Sequence, residues 1–511
     1  MAALSSGLLN VDYSPNFTIS DSYYNREYRT VHGPFFHLDE LDFPGKGSDE
    51  HRVAMQRMIG LRAPEKAGYS GELRDSQFEI PVRYGPELLK FREHIDQYIC
   101  DQDADEMYEQ WYTAPHTKRK LRISTAGQIL DDPGVDWRGY VDYKLKAGEP
   151  LRPGKKRAIG DLGAVRTQMS AYFIDAIKEA WAIPYIHGSV RSTFIKSASH
   201  ENMMCAFGWL IKPEYIEFIY HSDDSCVAAQ CSDGILRING DVKSCDGSHY
   251  DPFINCFEDF LLSSQFGRFS EPLKRAFISL GEPLRFRNPE TPSEKIIYRF
   301  TTKRLYSGSV LTTIMNNFAN LLISIELAMS VPDSTKLTCK EMMCAYVTAG
   351  AKCGYMLKAQ ECECIEDIQF LKCSPTLVDN QILYFKNLGV WFRGFGSFKG
   401  DLPGKGDLEI RGRAFNSDVI RSRKGWGNHS VNRAFQSTTC AGTLMESSAM
   451  YRDIFTSDMC AEDANIPDSN ICARYKCSEA ELRDLCAIIA SAQIGDHISS
   501  RLVNQIYEMD Y

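Results

Sequence analysis

The segment from Tyr215 to Val242 constrains this chain more than any other. Tyr215–Tyr220 (YIEFIY) and Cys226–Cys231 (CVAAQC) are short apolar runs of strand type, and His221-Ser222-Asp223-Asp224-Ser225 between them is turn chemistry. The pattern predicts a β-hairpin with two adjacent carboxylates at its tip. A further strand, Ile235–Val242 (ILRINGDV), ends on Asp241, and Asp246 stands close behind it in VKSCDGSHY. Strand ends that present Asp side by side suit two divalent cations about 3.5–4 Å apart, the arrangement that clamps both oxygens of a phosphoryl transfer. Mg²⁺ in particular takes one or two carboxylates plus substrate phosphate oxygens. An Asp-Asp-Ser turn is also ordinary surface chemistry, so the turn alone decides nothing.

Two further patterns lie within reach of the same chemistry. Ser307-Gly308-Ser309 precedes Thr312 and Asn316, giving SGxxxTxxxN. The glycine permits a mobile turn, and Thr312 and Asn316, four apart at the start of a predicted helix over Leu311–Ser330, face the same way. Beside a carboxylate pair they could read a ribose hydroxyl; the alternative is a Ser N-cap with solvated Thr and Asn. The second pattern is basic. Lys144, Lys146, Arg152, Lys155, Lys156 and Arg157 crowd one loop, and Lys155, Arg157 and Ile159 alternate as in an extended segment. Two cations on one face could receive a triphosphate.

Composition sets the frame. A chain of 511 residues has room for about three domains. With 43% hydrophobic and 24% charged residues it has the mix of a soluble globular protein, which excludes disordered, collagen-like and fibrous classes. The longest uncharged apolar run, near Asn320–Ile325, is far short of the roughly 20 residues of a membrane span. The N-terminal MAALSSGLLNVDYS has no basic stretch ahead of its apolar residues, so no signal peptide is expected. Seventeen cysteines, without paired CxxC knuckles, read as reduced thiols in a cytosolic compartment; Cys362 and Cys364, flanked by Cys353 and Cys373, are poorly spaced for zinc. The net charge of −9 argues against a non-specific nucleic-acid binder overall. The basic clusters at Lys144–Arg166 and Arg411–Lys424 could still line a channel for a polyanion.

Taken together, these motifs resemble those of viral RNA-dependent RNA polymerases. Asp241 and Asp246 resemble motif A, Ser307–Asn316 motif B, and Ser222-Asp223-Asp224 motif C with serine for the usual glycine. The helix and turn around Gly354 to Lys358 resemble motif D, the short strand expected at Phe370-Leu371-Lys372 motif E, Lys146–Ile159 motif F and Ser124-Thr125-Ala126-Gly127 motif G. The usual order is A, B, C. Here no acidic hairpin follows Asn316, since Tyr346–Gly354 (YVTAGAKCG) carries no carboxylate, and the acidic hairpin comes first. The order C, A, B is similar to the permuted palm of permutotetraviruses and birnaviruses. Motifs C and A would be neighbours in one antiparallel sheet, so rejoining short connections keeps the site.

The resemblance implies an α+β right-hand fold. Residues 1–120 would form an N-terminal extension and part of the fingers, 121–200 fingers with motifs G and F, and 201–250 palm. Residues 251–300 would be a fingers insertion, 301–378 palm again with motifs B, D and E, and 379–511 the thumb. It implies RNA-templated transfer of a nucleotide from NTP to an RNA 3′-hydroxyl with two Mg²⁺ or Mn²⁺ ions. Asp223 and Asp241 would bind the metals, with Asp224 near and Val242 offering a backbone carbonyl. Asp246, Thr312 and Asn316, with the Ser307-Gly308 turn, would select ribose, and Lys155 and Arg157 would hold the triphosphate. Lys358 or Lys352 would protonate pyrophosphate. The implied partners are template and product RNA, NTPs, and other viral replication or capsid proteins, in the host cytoplasm or the virion interior. The rivals are a reverse transcriptase or other palm polymerase, and a non-catalytic RNA-binding protein on the same fold. Tyr220–Asp224 has one residue too many for a YxDD box, and reverse transcriptases usually carry an aromatic residue where Asp246 stands.

Overall fold

The structure, a computed structural model, describes residues 9–13, 29–31, 35–36, 41–42, 72–99, 141–145, 149–150, 158–161, 168–287, 295–300, 302–394, 397–399, 406–421, 427–438 and 465–511. Motif G and both Lys155 and Arg157 of the basic loop lie outside the described residues.

A six-stranded sheet organises the middle of the chain. Its strands are β1 (Tyr185–His187), β2 (Val190–Phe194), β3 (Ile216–His221), β4 (Asp224–Cys231), β5 (Gly234–Val242) and β6 (Leu357–Glu361), in the spatial order β6-β5-β4-β3-β2-β1. All neighbours are antiparallel except β2 and β3, which run parallel. The mixed helix-and-sheet class follows the sequence expectation. Both faces of the sheet are covered, which is why β3 and β4 read as continuous apolar runs rather than alternating ones. Phe218, Tyr220, Val227, Ala229 and Ile238 join the main core with helix α2 (Thr312–Ser330) and helix α3 (Cys339–Lys352). Ile219, Cys226 and Ala228 point the other way, into a second cluster with Met203, Phe207, Phe370 and Tyr384. Glu217 in this apolar strand is fully buried because Arg191 of β2 stands opposite it and donates two hydrogen bonds at 2.7 and 2.8 Å. A third core, from Phe385 to Tyr507, belongs to the C-terminal helices.

Three elements differ from the sequence expectation. A helix is expected over Pro86–Tyr112; the observed helix, α1, spans Ile80–Asp96, and 100–112 lies outside the described residues. Its buried stripe Ile80, Tyr84, Leu88, Phe91, Ile95 begins before Pro86, which sits on the exposed face, where water can take the place of the hydrogen bond its ring removes. Phe370–Lys372, expected as a strand, is a hairpin turn: Leu371 and Lys372 have φ of 49° and 60°, and Phe370 and Cys373 exchange backbone hydrogen bonds across it. The Ser222 hairpin is also tighter than expected. His221 pairs with Asp224, so the turn is Ser222-Asp223 alone and Asp224 belongs to a strand.

Candidate active site

That shortened turn places the carboxylates. Asp224 is the Cα partner of Asp241 across β4 and β5, and Asp241 is the partner of Lys358 across β5 and β6. Directly opposed residues of an antiparallel pair share a face, with Cβ atoms about 4.5–5.5 Å apart. Asp224, Asp241 and Lys358 therefore form one row across three strands, all exposed. They line a cleft of about 200 Å³ together with Asn239, Gln360, Gln369 and Lys372. Residues 508–511 complete the lining beside Gln369 and Lys372. There Asp510 is buried on the hydroxyl of Tyr475 (3.0 Å), the guanidinium of Arg474 (3.0 Å) and the amide of Gly389 (2.8 Å). Lys372 bonds the Asp510 carbonyl and lies 4.3 Å from the centre of the Tyr511 ring.

The electrostatics reflect crowding of like charge. The Asp224 carboxyl is pushed up to about 7, first by desolvation in the concave cleft, though solvent still reaches it, then by the charge of Asp223; Lys372 pulls it down and Asp241 raises it. The buried Cys245 thiol is pushed well above its ordinary range, by burial first and then by Asp223, Asp246 and Asp241. Four carboxylates thus converge around one strand end. Among the described residues no three His, Cys, Asp or Glu side chains form a group that could by itself hold a metal. The donor set is open and made of hard oxygens. This fits Mg²⁺ or Mn²⁺, which keep water and substrate oxygens in their shell and offset the mutual repulsion of such a group.

The turn itself is clamped. Ser222 has φ of 57°, a left-handed conformation that costs a non-glycine residue about 1–2 kcal/mol. Helix α2 holds it from three sides: Asn317 Oδ1 accepts from the Ser222 amide (2.8 Å), Asn320 Nδ2 donates to its carbonyl (2.7 Å), and Asn316 Nδ2 donates to its hydroxyl (3.1 Å). All three asparagines are buried. Asn316 Nδ2 also donates to Asp246 Oδ1 at 2.9 Å, so it ties the turn to the segment behind Asp241. Sequence reasoning found Asn316 and missed Asn317 and Asn320. The signal was three amides in an otherwise apolar helix, since buried amides require partners. It also missed Gln77, whose fully buried side chain accepts from the Tyr250 amide (2.9 Å) and donates to the Ser248 carbonyl (2.9 Å), fixing the short helix Cys245–Ser248 that carries Asp246.

The remaining expected residues fall in two groups. Thr312 opens α2 and shares a face with Asn316, and its hydroxyl donates to the Tyr306 carbonyl at 3.2 Å, closing the turn that holds Ser307 and Gly308. Gly308 takes φ of 97°, so only glycine is comfortable there. Val242 ends β5 with its side chain buried. Lys352, by contrast, is committed elsewhere: its ammonium bonds Glu326 Oε1 at 2.8 Å and Ser330 at 3.2 Å. Only Lys358 of the two lysines lines the cleft.

Glu326 is 1% exposed and also receives Arg83 (3.0 Å) and the Tyr84 hydroxyl (3.0 Å). Burial alone would raise its pKa, but the hydrogen bonds from Lys352, Ser330 and Tyr84 and the charge of Arg83 outweigh it and hold the carboxyl below its ordinary range. A depressed carboxylate contributes stability above its unfolded pKa that is lost as pH falls through the folded one. Glu326→Gln is therefore expected to cost about 1–3 kcal/mol at pH 7, less than a fully buried pair because Arg83 and Lys352 are 34% and 40% exposed. The difference in melting temperature from wild type should shrink as pH drops below about 4.3. A constant difference across that range would show that packing, not charge, fixes Glu326.

No family model matches the chain, and no curated protein matches it. Solved structures do. The chain is similar to the birnavirus VP1–VP3 complex, with 9% identity and a TM-score of 0.41 over 86% of this chain and 59% of that one. It is also similar to the RNA polymerase VP1 from Infectious Pancreatic Necrosis Virus, with 9% identity and a TM-score of 0.39 over 82% of this chain and 56% of that one. The chain thus spans under two thirds of the length of either.

Proposed function

We propose that this protein synthesises RNA on an RNA template, transferring nucleotides from NTP to an RNA 3′-hydroxyl in the cleft formed by Asp224, Asp241 and Lys358. The observation that carries the reading is the row of these three residues across adjacent strands, with the Ser222-Asp223 turn clamped beside it by α2. Asp223, Asp224 and Asp241, with the Val242 carbonyl, would hold Mg²⁺ or Mn²⁺. When bound, a pair of such ions supplies charge neutralisation at the attacking and leaving oxygens. The chain's own part is positional and protonic. Lys358 would give a proton to the departing pyrophosphate; its pairing with Asp241 and the bond of Lys352 to Glu326 support Lys358 over Lys352. Asp246 and Asn316, already bonded to each other, meet the sugar, with Thr312 and the Ser307-Gly308 turn beside them. Lys155 and Arg157 would hold the triphosphate. The division into fingers, palm and thumb, the RNA and viral-protein partners, and the location in host cytoplasm or virion belong to the same proposal.

The test is primed and unprimed extension on an RNA template with Mg²⁺ or Mn²⁺, comparing NTP and dNTP. We expect templated NTP incorporation that chelator abolishes, with NTP preferred by about a hundredfold or more, the range open to a site that hydrogen-bonds the sugar hydroxyl. A preference for dNTP would establish a reverse transcriptase instead. RNA binding without incorporation under either metal would make the protein a binding scaffold.

A further inference from the structure

Behind Asn316 lies a second layer that the polymerase reading does not use. His249 Nε2 meets Asn316 Oδ1 at 2.8 Å, and His249 Nδ1 meets the Tyr355 hydroxyl at 2.8 Å. The His249 imidazole is 1% exposed and stacks on Phe253, with centroids 4.5 Å apart and planes 8° from parallel. The three residues come from three segments: the stretch after Asp246, the turn before β6, and α2.

An ionised Asp246 fixes the orientation of the groups in this chain of contacts. An ionised Asp246 only accepts, so the Asn316 amide must turn its nitrogen toward it, and its oxygen then faces His249. The imidazole must carry a hydrogen on Nε2 to meet that oxygen. In the neutral ring Nδ1 is then an acceptor, and the Tyr355 hydroxyl donates to it. The opposite tautomer would present a lone pair to Asn316. The amide would rotate and set its oxygen against the Asp246 carboxylate, a contact of two acceptors.

We infer that His249, oriented by Tyr355, is a specificity-determining positioning residue: it holds the Asn316 amide nitrogen toward Asp246 and thereby sets how strictly the site demands a ribose 2′-hydroxyl. The inference rests on the proposed polymerase activity and deepens it. Discrimination by hydrogen bonding depends on the donor and acceptor being held before the sugar arrives, because a freely rotating amide satisfies itself with or without the hydroxyl.

The experiment measures kcat/KM for NTP and dNTP in wild type, His249→Phe, His249→Gln, Tyr355→Phe, and His249→Phe combined with Asn316→Ala, with thermal melting alongside. Phenylalanine keeps the stack on Phe253 and removes both nitrogens; the NTP/dNTP ratio should narrow by about fivefold or more. Glutamine can place an N–H where Nε2 stood, and should restore the ratio to within about twofold of wild type. Tyr355→Phe, which deletes one oxygen, should fall between. The double variant should narrow the ratio no further than Asn316→Ala alone, because the two residues act as one unit. A purely structural role would lower melting and kcat without moving the sugar ratio. Should His249→Phe fail to fold, Tyr355→Phe decides. An active wild type whose ratio is indifferent to Tyr355→Phe, and to His249→Phe where that folds, overturns this inference alone. So does a glutamine variant that behaves like the phenylalanine one. A wild type that incorporates no NTP on any template overturns the polymerase reading and this inference with it.

Discussion

Asp241→Ala is expected to lower nucleotide incorporation by about a thousandfold or more, a loss of roughly 4 kcal/mol in transition-state stabilisation. Asp241 is the middle of the row, opposed by Asp224 on one side and Lys358 on the other, so its removal strips the proposed cation site and leaves Lys358 without its partner across β5 and β6. Its own side chain is exposed, and the buried neighbours that hold β5 are Leu236, Ile238 and Val242. Folding should be spared, and melting should match or slightly exceed wild type, because a like charge beside Asp224 is gone. Primer extension and thermal melting on the same preparation decide the matter. Near-normal extension by a well-folded variant would take Asp241 out of the mechanism.

One residue earlier the expectation reverses, toward lost stability. Gly240 faces α3, and a Cβ placed there would lie 2.1 Å from the Tyr346 hydroxyl and 2.5 Å from Ser225 Oγ. Those two oxygens are themselves hydrogen-bonded at 3.0 Å, and Tyr346 is fully buried, edge-on to Phe218. Gly240→Ala must either push β5 off α3 or drive the hydroxyl from its partner. We expect a loss of about 3 kcal/mol or more, from overpacking together with an unpaired buried oxygen. Activity should fall with it, since any shift of β5 carries Asp241 along. Adding Tyr346→Phe removes the closest contact, so the double variant should melt above Gly240→Ala. Wild-type melting of Gly240→Ala would show that the strand has room to spare.

What the sequence makes legible is local. The apolar runs of β3, β4 and β5 and the turn residues between them place Asp223, Asp224 and Asp241 correctly in order and nearly so in register. The turn reads as too long because Ser and Asp favour turns by composition, whereas pairing of His221 with Asp224 is a property of the assembled hairpin. Phe370–Lys372 misleads for the related reason that an apolar pair suggests a strand, while the left-handed backbone at Leu371 and Lys372 is imposed by its setting. The relation of Gln77 to Ser248, of His249 to Asn316, and of residues 508–511 to the cleft spans far-separated segments, and no periodicity announces a contact of that kind. Lys352 and Lys358 are indistinguishable as letters; the Glu326 beneath Lys352 separates them.

The strand order has a kinetic corollary. Asp223, Asp224 and Asp241 all lie on one up-and-down run of three consecutive strands, so the acidic cluster is assembled by contacts of short sequence separation, the kind that form early and fast. The amides that pin Ser222 arrive from 94, 95 and 98 residues further along the chain. The meander can thus pair by itself, its two-residue turn already requiring the positive φ at Ser222, and the α2 amides satisfy that turn only when the helix docks. This arrangement separates, by distance along the chain, the contacts that assemble the charges from the contacts that clamp their turn.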